Sequence, residues 1–441
     1  MSETIYALAS GAGRAGIAVL RLSGTAADAA LSALSDAPLP PPRRAARVRL
    51  RDPQTGTPLD DGLALRFPGP ASYTGEDVVE LHIHGGSAVV AAVFEALSRL
   101  PDLRMAEPGE FTRRAVLAGK MDLTAAEGLI DLIDAETEAQ RKQALRQADG
   151  ALGALYDDWR GRLIPALAHL EAAIDFPDED LPENLAAKIE PVLAALRAEM
   201  TAHLDDSRRG ERLRQGVQIA IVGPPNAGKS SLLNTLAQRD AAIVSATAGT
   251  TRDVIEVRLD LGGFPVLAAD TAGLREARDE IEAEGIRRAR HWAGAADLKI
   301  AVFAVDDPAA ARDAADVVDL ETIVVLNKVD LGEPDWTPPP AIGHFPVSVA
   351  TGQGLDALIS GVTEAVAARI DVGAAPLMTR ARHRAAVTEC AEALDRAVAA
   401  PLPELAAEDL RLAVRALGRI TGAVDVEDLL DVIFRDFCIG K

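Results

Sequence analysis

The sequence predicts a mixed α/β protein with an additional all-α part: an N-terminal α/β domain, then a helical bundle whose chain is interrupted by a doubly wound α/β domain. Three observations predict it. Short strand-like runs punctuated by turn residues occupy residues 1–118, long helical periodicity occupies 119–214 and returns at 374–441, and strand and helix signals alternate through 215–373. A chain of 441 residues has room for about three domains, each able to bury a core.

In the first segment the apolar run 16–22, the alternation Val78-Val79-Glu80-Leu81-His82-Ile83-His84 and the helix-like stretch 89–100 are separated by the breakers at 38–42 and Pro68-Gly69-Pro70. His82 and His84 fall on one face of their strand, which invites a metal reading. No cysteine or third histidine stands nearby in sequence, so a structural role is preferred.

The pattern then changes. Leu163, Leu167, Leu170 and Ile174 recur at three- and four-residue steps as an apolar helical stripe, which Asp175-Phe176-Pro177 ends. Helical signals resume with 385–398, 405–417 and 426–434. One bundle with a domain inserted into it is the economical arrangement, because insertion is tolerated where the two ends lie close together. The insert reads as strands at 217–222, 254–261, 264–269, 298–305 and 322–326, so its ligand belongs at the carboxyl ends of those strands.

At the first of these ends stands Gly223-Pro224-Pro225-Asn226-Ala227-Gly228-Lys229-Ser230, followed by the helix-like Ser231-Leu232-Leu233-Asn234-Thr235-Leu236. A strand that turns through such a loop into a helix aims backbone N–H groups and the helix N-terminus at one anion. Asn226, Ala227, Gly228 and Ser231 line this cradle, Lys229 reaches the β and γ oxygens, and the Ser230 hydroxyl is placed for Mg²⁺.

A P-loop alone does not name the nucleotide. Asp270-Thr271-Ala272-Gly273 follows a strand, so Asp270 holds the Mg²⁺ hydration shell while the Gly273 N–H meets the γ-phosphate. Asn327-Lys328-Val329-Asp330 follows the next buried strand, and the Asp330 carboxylate accepts the N1–H and 2-amino protons that guanine offers and adenine lacks. Thr251, in the loop before the second strand, completes the Mg²⁺ shell and senses the γ-phosphate. Ser348-Val349-Ala350 lies where GTPases carry a Ser-Ala step near the base, with Val349 as a mild departure.

Leu274 follows Gly273, where Ras-like proteins place the glutamine that orients the attacking water, and leucine has no polar atom for that task. Either GTP is hardly hydrolysed, or the charge and the water positioning come from elsewhere, for which two candidates are visible. Glu282, in Asp279-Glu280-Ile281-Glu282, polarises water directly or through a second water. Asn226 offers its side-chain oxygen to a monovalent cation beside the phosphates, together with carbonyls of the loop 245–250.

The formal net charge of -21 argues against nucleic acid binding along the whole surface, since phosphate neutralisation needs clustered Lys and Arg. Any RNA is expected to be held by a small area or through a partner. The two cysteines, Cys390 and Cys438, make no disulfide framework, and the sequence lacks both a long uncharged run and a secretory leader pattern, so a cytoplasmic protein without a membrane span is expected.

With their flanks these residues resemble the MnmE (TrmE) family of tRNA modification GTPases over essentially the whole chain. The resemblance rests on PASYTGEDVVELHIHGG (70–86), PGEFTRRAVLAGKMDLTAAEGLIDLID (108–134), EAAIDFPDE (171–179), the P-loop, GTTRD (249–253), DTAGLREA (270–277) and the terminal Phe437-Cys438-Ile439-Gly440-Lys441. It implies a homodimer with an N-terminal tetrahydrofolate-binding domain (1–118), a helical domain (119–214 and 374–441) and an inserted Ras-like G domain (215–373). It also implies K⁺-activated GTP hydrolysis, with G domains pairing across the dimer. With an FAD-containing partner, MnmG, in a heterotetramer or larger assembly, such proteins install an aminomethyl or carboxymethylaminomethyl group at C5 of the wobble uridine of tRNAs. A 5-formyl- or 5,10-methylene-tetrahydrofolate supplies the carbon.

By the same resemblance K⁺ falls to Asn226, Ser245, Thr247 and Thr250, and Mg²⁺ to Ser230 and Thr251. Glu282 takes the catalytic carboxylate role, and folate falls to Arg21, Glu80, Lys120 and Lys441. The folate set is chemically coherent: a carboxylate pairs with the pterin amino edge and cations suit the glutamate tail. Two departures stand out, His82-Ile83-His84 for Gln-Gly-His and Ser245 for a common Thr. Cys438 stands fourth from the end, but the Gly440-Lys441 terminus does not fit a prenylation signal; the open readings for its thiol are packing, partner contact and chemistry. The rival to this family is an Era-like switch GTPase of ribosome assembly, which shares the nucleotide motifs. It would carry a basic RNA-binding appendage rather than these flanking segments.

Overall fold

The computed structural model describes residues 3–175, 185–206, 208–241, 255–270, 294, 296–313, 318–370, 373, 376–424, 430, 433–434, 437 and 440. Its contacts divide the chain into two compact units, Met1–Ile130 with Gly418–Lys441, and Asp131–Leu417.

The first unit is built on a sheet of six strands: β1 (Thr4–Leu8), β2 (Ala15–Ser23), β3 (Ala46–Arg51), β4 (Pro58–Phe67), β5 (Val78–Gly85) and β6 (Leu103–Met105), in the order β3-β4-β5-β2-β1-β6. Successive side chains alternate between the faces. Leu20, Leu22, Val79, Leu81 and Ile83 bury one face with Leu31 and Leu34 of the helix Ala27–Leu34 and Val93 and Leu97 of the helix Ser87–Ser98. β2 pairs antiparallel with β5, Arg21 opposite Glu80 and Val19 opposite His82, so these side chains share the other face. A second apolar cluster joins Leu123 and Ala126 to Leu430, Phe434 and Phe437.

The second unit holds β7 (Val217–Val222), β8 (Ile255–Leu261), β9 (Phe264–Asp270), β10 (Leu298–Ala304), β11 (Thr322–Asn327) and β12 (Gly343–Pro346) in the order β12-β11-β10-β7-β9-β8. All neighbours are parallel except β8 and β9. The central strands read as unbroken apolar runs because both faces are covered. Ile219, Ile221, Val302 and Val325 pack with Leu232, Leu233, Leu358 and Val362, whereas Ala220, Val222, Phe303 and Leu326 pack with Ala311.

The same unit contains the helices Glu138–Ala148, Ala151–Asp175, Leu185–Leu204, Arg209–Gln215 and Ala381–Ala399, and the helix Pro403–Thr421 as far as Leu417. Thr137 opens the first with a reciprocal capping box to Gln140. In the long helix ending at Asp175 the buried positions are Leu152, Gly153, Tyr156, Trp159, Leu163 and Ala166. The stripe read from sequence therefore holds at Leu163, while Leu167, Leu170 and Ile174 are only half-buried. The core face lies earlier, where the aromatic residues supply the area. The expected strand start at Val254 and most of the expected helix 426–434 lie outside the described residues.

Candidate functional site

The P-loop site begins where β7 ends. The chain leaves Val222 through residues 223–228 and enters the helix Lys229–Leu236. The loop turns on left-handed backbone at Asn226 (φ 59°) and Gly228 (φ 100°). At Gly228 a Cβ would stand 2.2 Å from Asn327 Nδ2, so glycine is what lets the loop close on that side chain. The first-turn N–H groups of the helix have no acceptor one turn earlier, which makes its start an anion site. Lys229 is buried and its ammonium donates to the carbonyls of Gly223 (2.9 Å) and Pro224 (2.8 Å), which hold the charge inside the loop. Asn226, Ser230 and Ser231 are exposed and Ala227 is buried.

Asn327 joins the phosphate loop to the loop after β12. It is buried at the end of β11, its Nδ2 donates to the Ala227 carbonyl (2.8 Å), and its Oδ1 accepts from the Val349 N–H (3.2 Å). The Val329 N–H donates to the Val347 carbonyl at 3.2 Å, and the buried Ser348 Oγ accepts from the Thr351 N–H at 3.2 Å. These bonds hold 347–351 against the Asn327-Lys328-Val329-Asp330 turn. Lys328 takes φ 67° and pairs with both oxygens of Asp306 at 3.0 Å. Asp330 is exposed in the turn Val329–Leu331, and Ala350 is exposed beyond Val349. Asp270 is the last residue of β9, in register with Ile221 of β7, and so sits beside the strand that feeds the loop. Ser245, Thr247, Thr250, Thr251, Thr271, Ala272, Gly273, Leu274 and Glu282 lie outside the described residues, as do Cys438 and Lys441.

A second cluster lies on the other face of the N-terminal sheet, where Phe111 and Tyr73 pack over Ile5 and Ala7. Arg21 donates from Nε (3.1 Å) and Nη2 (2.9 Å) to the same Glu80 oxygen, Oε1. Its guanidinium lies 5.1 Å from the Tyr73 ring centroid and 5.8 Å from that of Phe111, within cation–π range. Tyr73 shares a 2.7 Å hydrogen bond with Thr112, and burial raises its phenol pKa. Ser23 bonds both Thr74 and Glu76 at 2.7 Å, and Arg114 reaches Glu76 at 2.8 Å. Lys120 donates to the Pro70 carbonyl. The segment 70–76 is thus pinned over this face by residues from β2 and from the chain after β6. The structure brings Arg21 and Glu80 together, and it sets Lys120 against the overlying loop that carries Tyr73. Tyr73, Phe111 and Arg114 were not singled out from sequence; their signal was membership of the 70–86 and 108–134 stretches.

The tail reaches this unit as well. Gly440 is buried with φ 105°, and a Cβ there would lie 1.9 Å from the Leu8 carbonyl oxygen, so Gly440 packs backbone to backbone at the end of β1. His84 Nδ1 lies 2.7 Å from Asp60, and among the described residues no group of three or more His, Cys, Asp or Glu is arranged for a metal ion. Burial pushes the Cys390 thiol up to about 12, which leaves it inert. A cavity of about 290 Å³ lined by Asp131, Gln140, Arg214, Arg258 and Thr379 contains none of the sequence-predicted site residues. No described helix is long and apolar enough to cross a membrane.

Comparison with known proteins accounts for most of the chain. Residues 4–120 match the family model described as the GTP-binding protein TrmE N-terminus, and residues 123–438 match that of the MnmE helical domain. The tRNA modification GTPase MnmE of Parvibaculum lavamentivorans is 62% identical over 445 residues, covering 100% of both chains. Its counterpart from Paramagnetospirillum magneticum is 59% identical, again covering 100% of both. Among solved structures, a variant of Aquifex aeolicus Era bound to GDP and AlF4⁻ is 24% identical, covering 40% of this chain and 66% of that one, with a TM-score of 0.27.

Proposed function

The chain belongs to the MnmE family of tRNA modification GTPases, and from that premise we propose a K⁺-activated GTP hydrolase that works with an FAD-containing MnmG partner on the wobble uridine of tRNAs. The observation that carries the nucleotide reading is Asn327, one buried amide that fastens the phosphate loop at Ala227 to the base loop at Val349. A purine nucleoside triphosphate spans that distance with its phosphates on the helix N-terminus and its base by Asp330, whose carboxylate selects guanine.

Mg²⁺ belongs at Ser230 and Thr251 and neutralises charge on the β and γ oxygens. K⁺ belongs at Asn226, Ser245, Thr247 and Thr250; the exposure of Asn226 at a left-handed turn of the loop suits this. Glu282 positions water in the closed, paired state of two G domains, so hydrolysis waits for dimer closure. In the N-terminal unit Arg21 orients Glu80 toward the amino edge of a tetrahydrofolate pterin, while Lys120 and Lys441 face its glutamate tail. The proposed domains are 1–118, 119–214 with 374–441, and 215–373, in a cytoplasmic homodimer that holds tRNA largely through its partner.

The test is GTP turnover of the full-length protein in K⁺ and in Na⁺. Turnover rises strongly in K⁺, and Asn226→Ala erases the rise while nucleotide binding persists. Equal rates in both salts overturn the cation reading.

A further inference from the structure

We propose that His82 is a specificity-determining residue of the folate site, its Nε2 reading the C4 carbonyl of the pterin while Glu80 reads the adjacent N–H. This rests on the folate reading above. The register marks the position: on β5 His82 follows Glu80 by two residues, so both side chains project from one face, and β2 sets Arg21 opposite Glu80 and Val19 opposite His82.

The polar atoms there are unevenly used. Both Arg21 hydrogen bonds end on Glu80 Oε1. The other oxygen, Oε2, lies 3.6 Å from His82 Nε2, beyond hydrogen-bond reach. That nitrogen is buried and has no hydrogen-bond partner among the described residues. Leaving a buried ring nitrogen unsatisfied is unfavourable, which points to a ligand atom as its partner. An acceptor and a donor set side by side match one chemical object, the lactam edge, in which an N–H and a C=O are adjacent. A 2-amino-4-oxo pyrimidine ring carries that edge. Arg21, fixed over Tyr73 and Phe111, holds the carboxylate in place through its two bonds to Oε1. His84, two residues further along, bonds Asp60 at 2.7 Å and is excluded from the pair.

Folic acid and aminopterin differ in oxygen or an amino group at C4, and with it in whether N3 carries a hydrogen, so the change each ligand shows when His82 is replaced, rather than their relative affinity, reads this contact. Each is titrated into full-length wild type, His82→Phe, His82→Gln and His84→Gln, with circular dichroism melts to verify folding. Folic acid binding falls about tenfold in His82→Phe, the loss of one buried hydrogen bond, and aminopterin binding falls less than about threefold. His82→Gln, which restores an N–H donor, recovers most of the folic acid affinity, and His84→Gln matches wild type. Equal losses for both ligands in His82→Phe, or no loss for either, overturn the proposal. A wild-type protein that binds neither ligand overturns the folate reading itself and this inference with it. Because wild-type binding is measured first, the two failures are distinct.

Discussion

The bond between the phosphate loop and the base loop can be measured as a coupling. Gly228→Ala places a side chain at φ 100° and a Cβ 2.2 Å from Asn327 Nδ2. The left-handed conformation costs an L-residue about 1–2 kcal/mol. The clash displaces the amide, which breaks its hydrogen bonds to Ala227 and Val349 at about 1 kcal/mol each. The single substitution therefore costs roughly 3 kcal/mol, on the order of 100-fold in affinity. Asn327→Ala alone loses the two bonds, roughly 2 kcal/mol or about 30-fold. In the double variant the displaced amide is already gone, so only the backbone strain is added and the total stays near 3 kcal/mol rather than near 5. These costs fall on affinity because the loops relax without ligand, whereas bound phosphates and base require them in register. The assay is displacement of a fluorescent GDP analogue from the full-length protein at 25 °C for the four members of the cycle. A double variant at the sum of the single effects, within about 0.5 kcal/mol, refutes the mechanism, because additivity means the two residues do not share this contact.

Two further outcomes follow from the packing. Gly440→Ala drives a Cβ into the Leu8 carbonyl at a left-handed position, so it lifts the tail and weakens folic acid binding about tenfold while GDP affinity is unchanged; equal folic acid affinity would show that tail docking does not shape that site. His203 is pushed down to about 4, mainly by burial and further by Arg384 and His383, with Asp206 opposing. Its folded value lies below the unfolded value, so the unfolded chain binds more protons between them and stability falls as pH drops from about 6.5 to about 4, by on the order of 3 kcal/mol. Denaturant midpoints across that window should lose this slope in His203→Phe, and an unaltered slope would mean another group supplies it.

Much of the second sheet was legible because its strands are buried on both faces and therefore read as apolar runs. β7, β9, β10 and β11 fall within a residue or so of the stretches read at 217–222, 264–269, 298–305 and 322–326. Of the strands that escaped, β3, β4 and β12 have one face or an edge in water. β3 reads ARVRLR and β4 reads PLDDGLALRF, charged along their length because β3 closes the sheet and only Val48, Leu50 and Ala64 are buried. Charge on an edge strand opposes pairing with another chain, so the signal that hides β3 from a hydrophobicity reading is suited to its position. β12, four residues with half-buried and exposed positions alternating, is too short for periodicity to register.

The functional residues divide along a different line. Lys229, Ser230 and Gly228 were legible because a phosphate cradle is local: one strand end, one tight loop and one helix start, all contiguous in sequence. The Arg21–Glu80 pair is not local. Its members stand 59 residues apart and meet only because β2 and β5 pair in a register that sets them opposite each other. Judged singly, Arg21 is indistinguishable from the many arginines whose charge is solvated, and only the family resemblance raised it. Asn327 falls between the cases, since its motif was visible but its bonds to Ala227 and Val349 cross 100 and 22 residues. Substitutions at contiguous motif residues should therefore disturb one ligand group each. Those at residues joined by register or by a buried amide should disturb two segments at once, and such sites produce non-additive pairs.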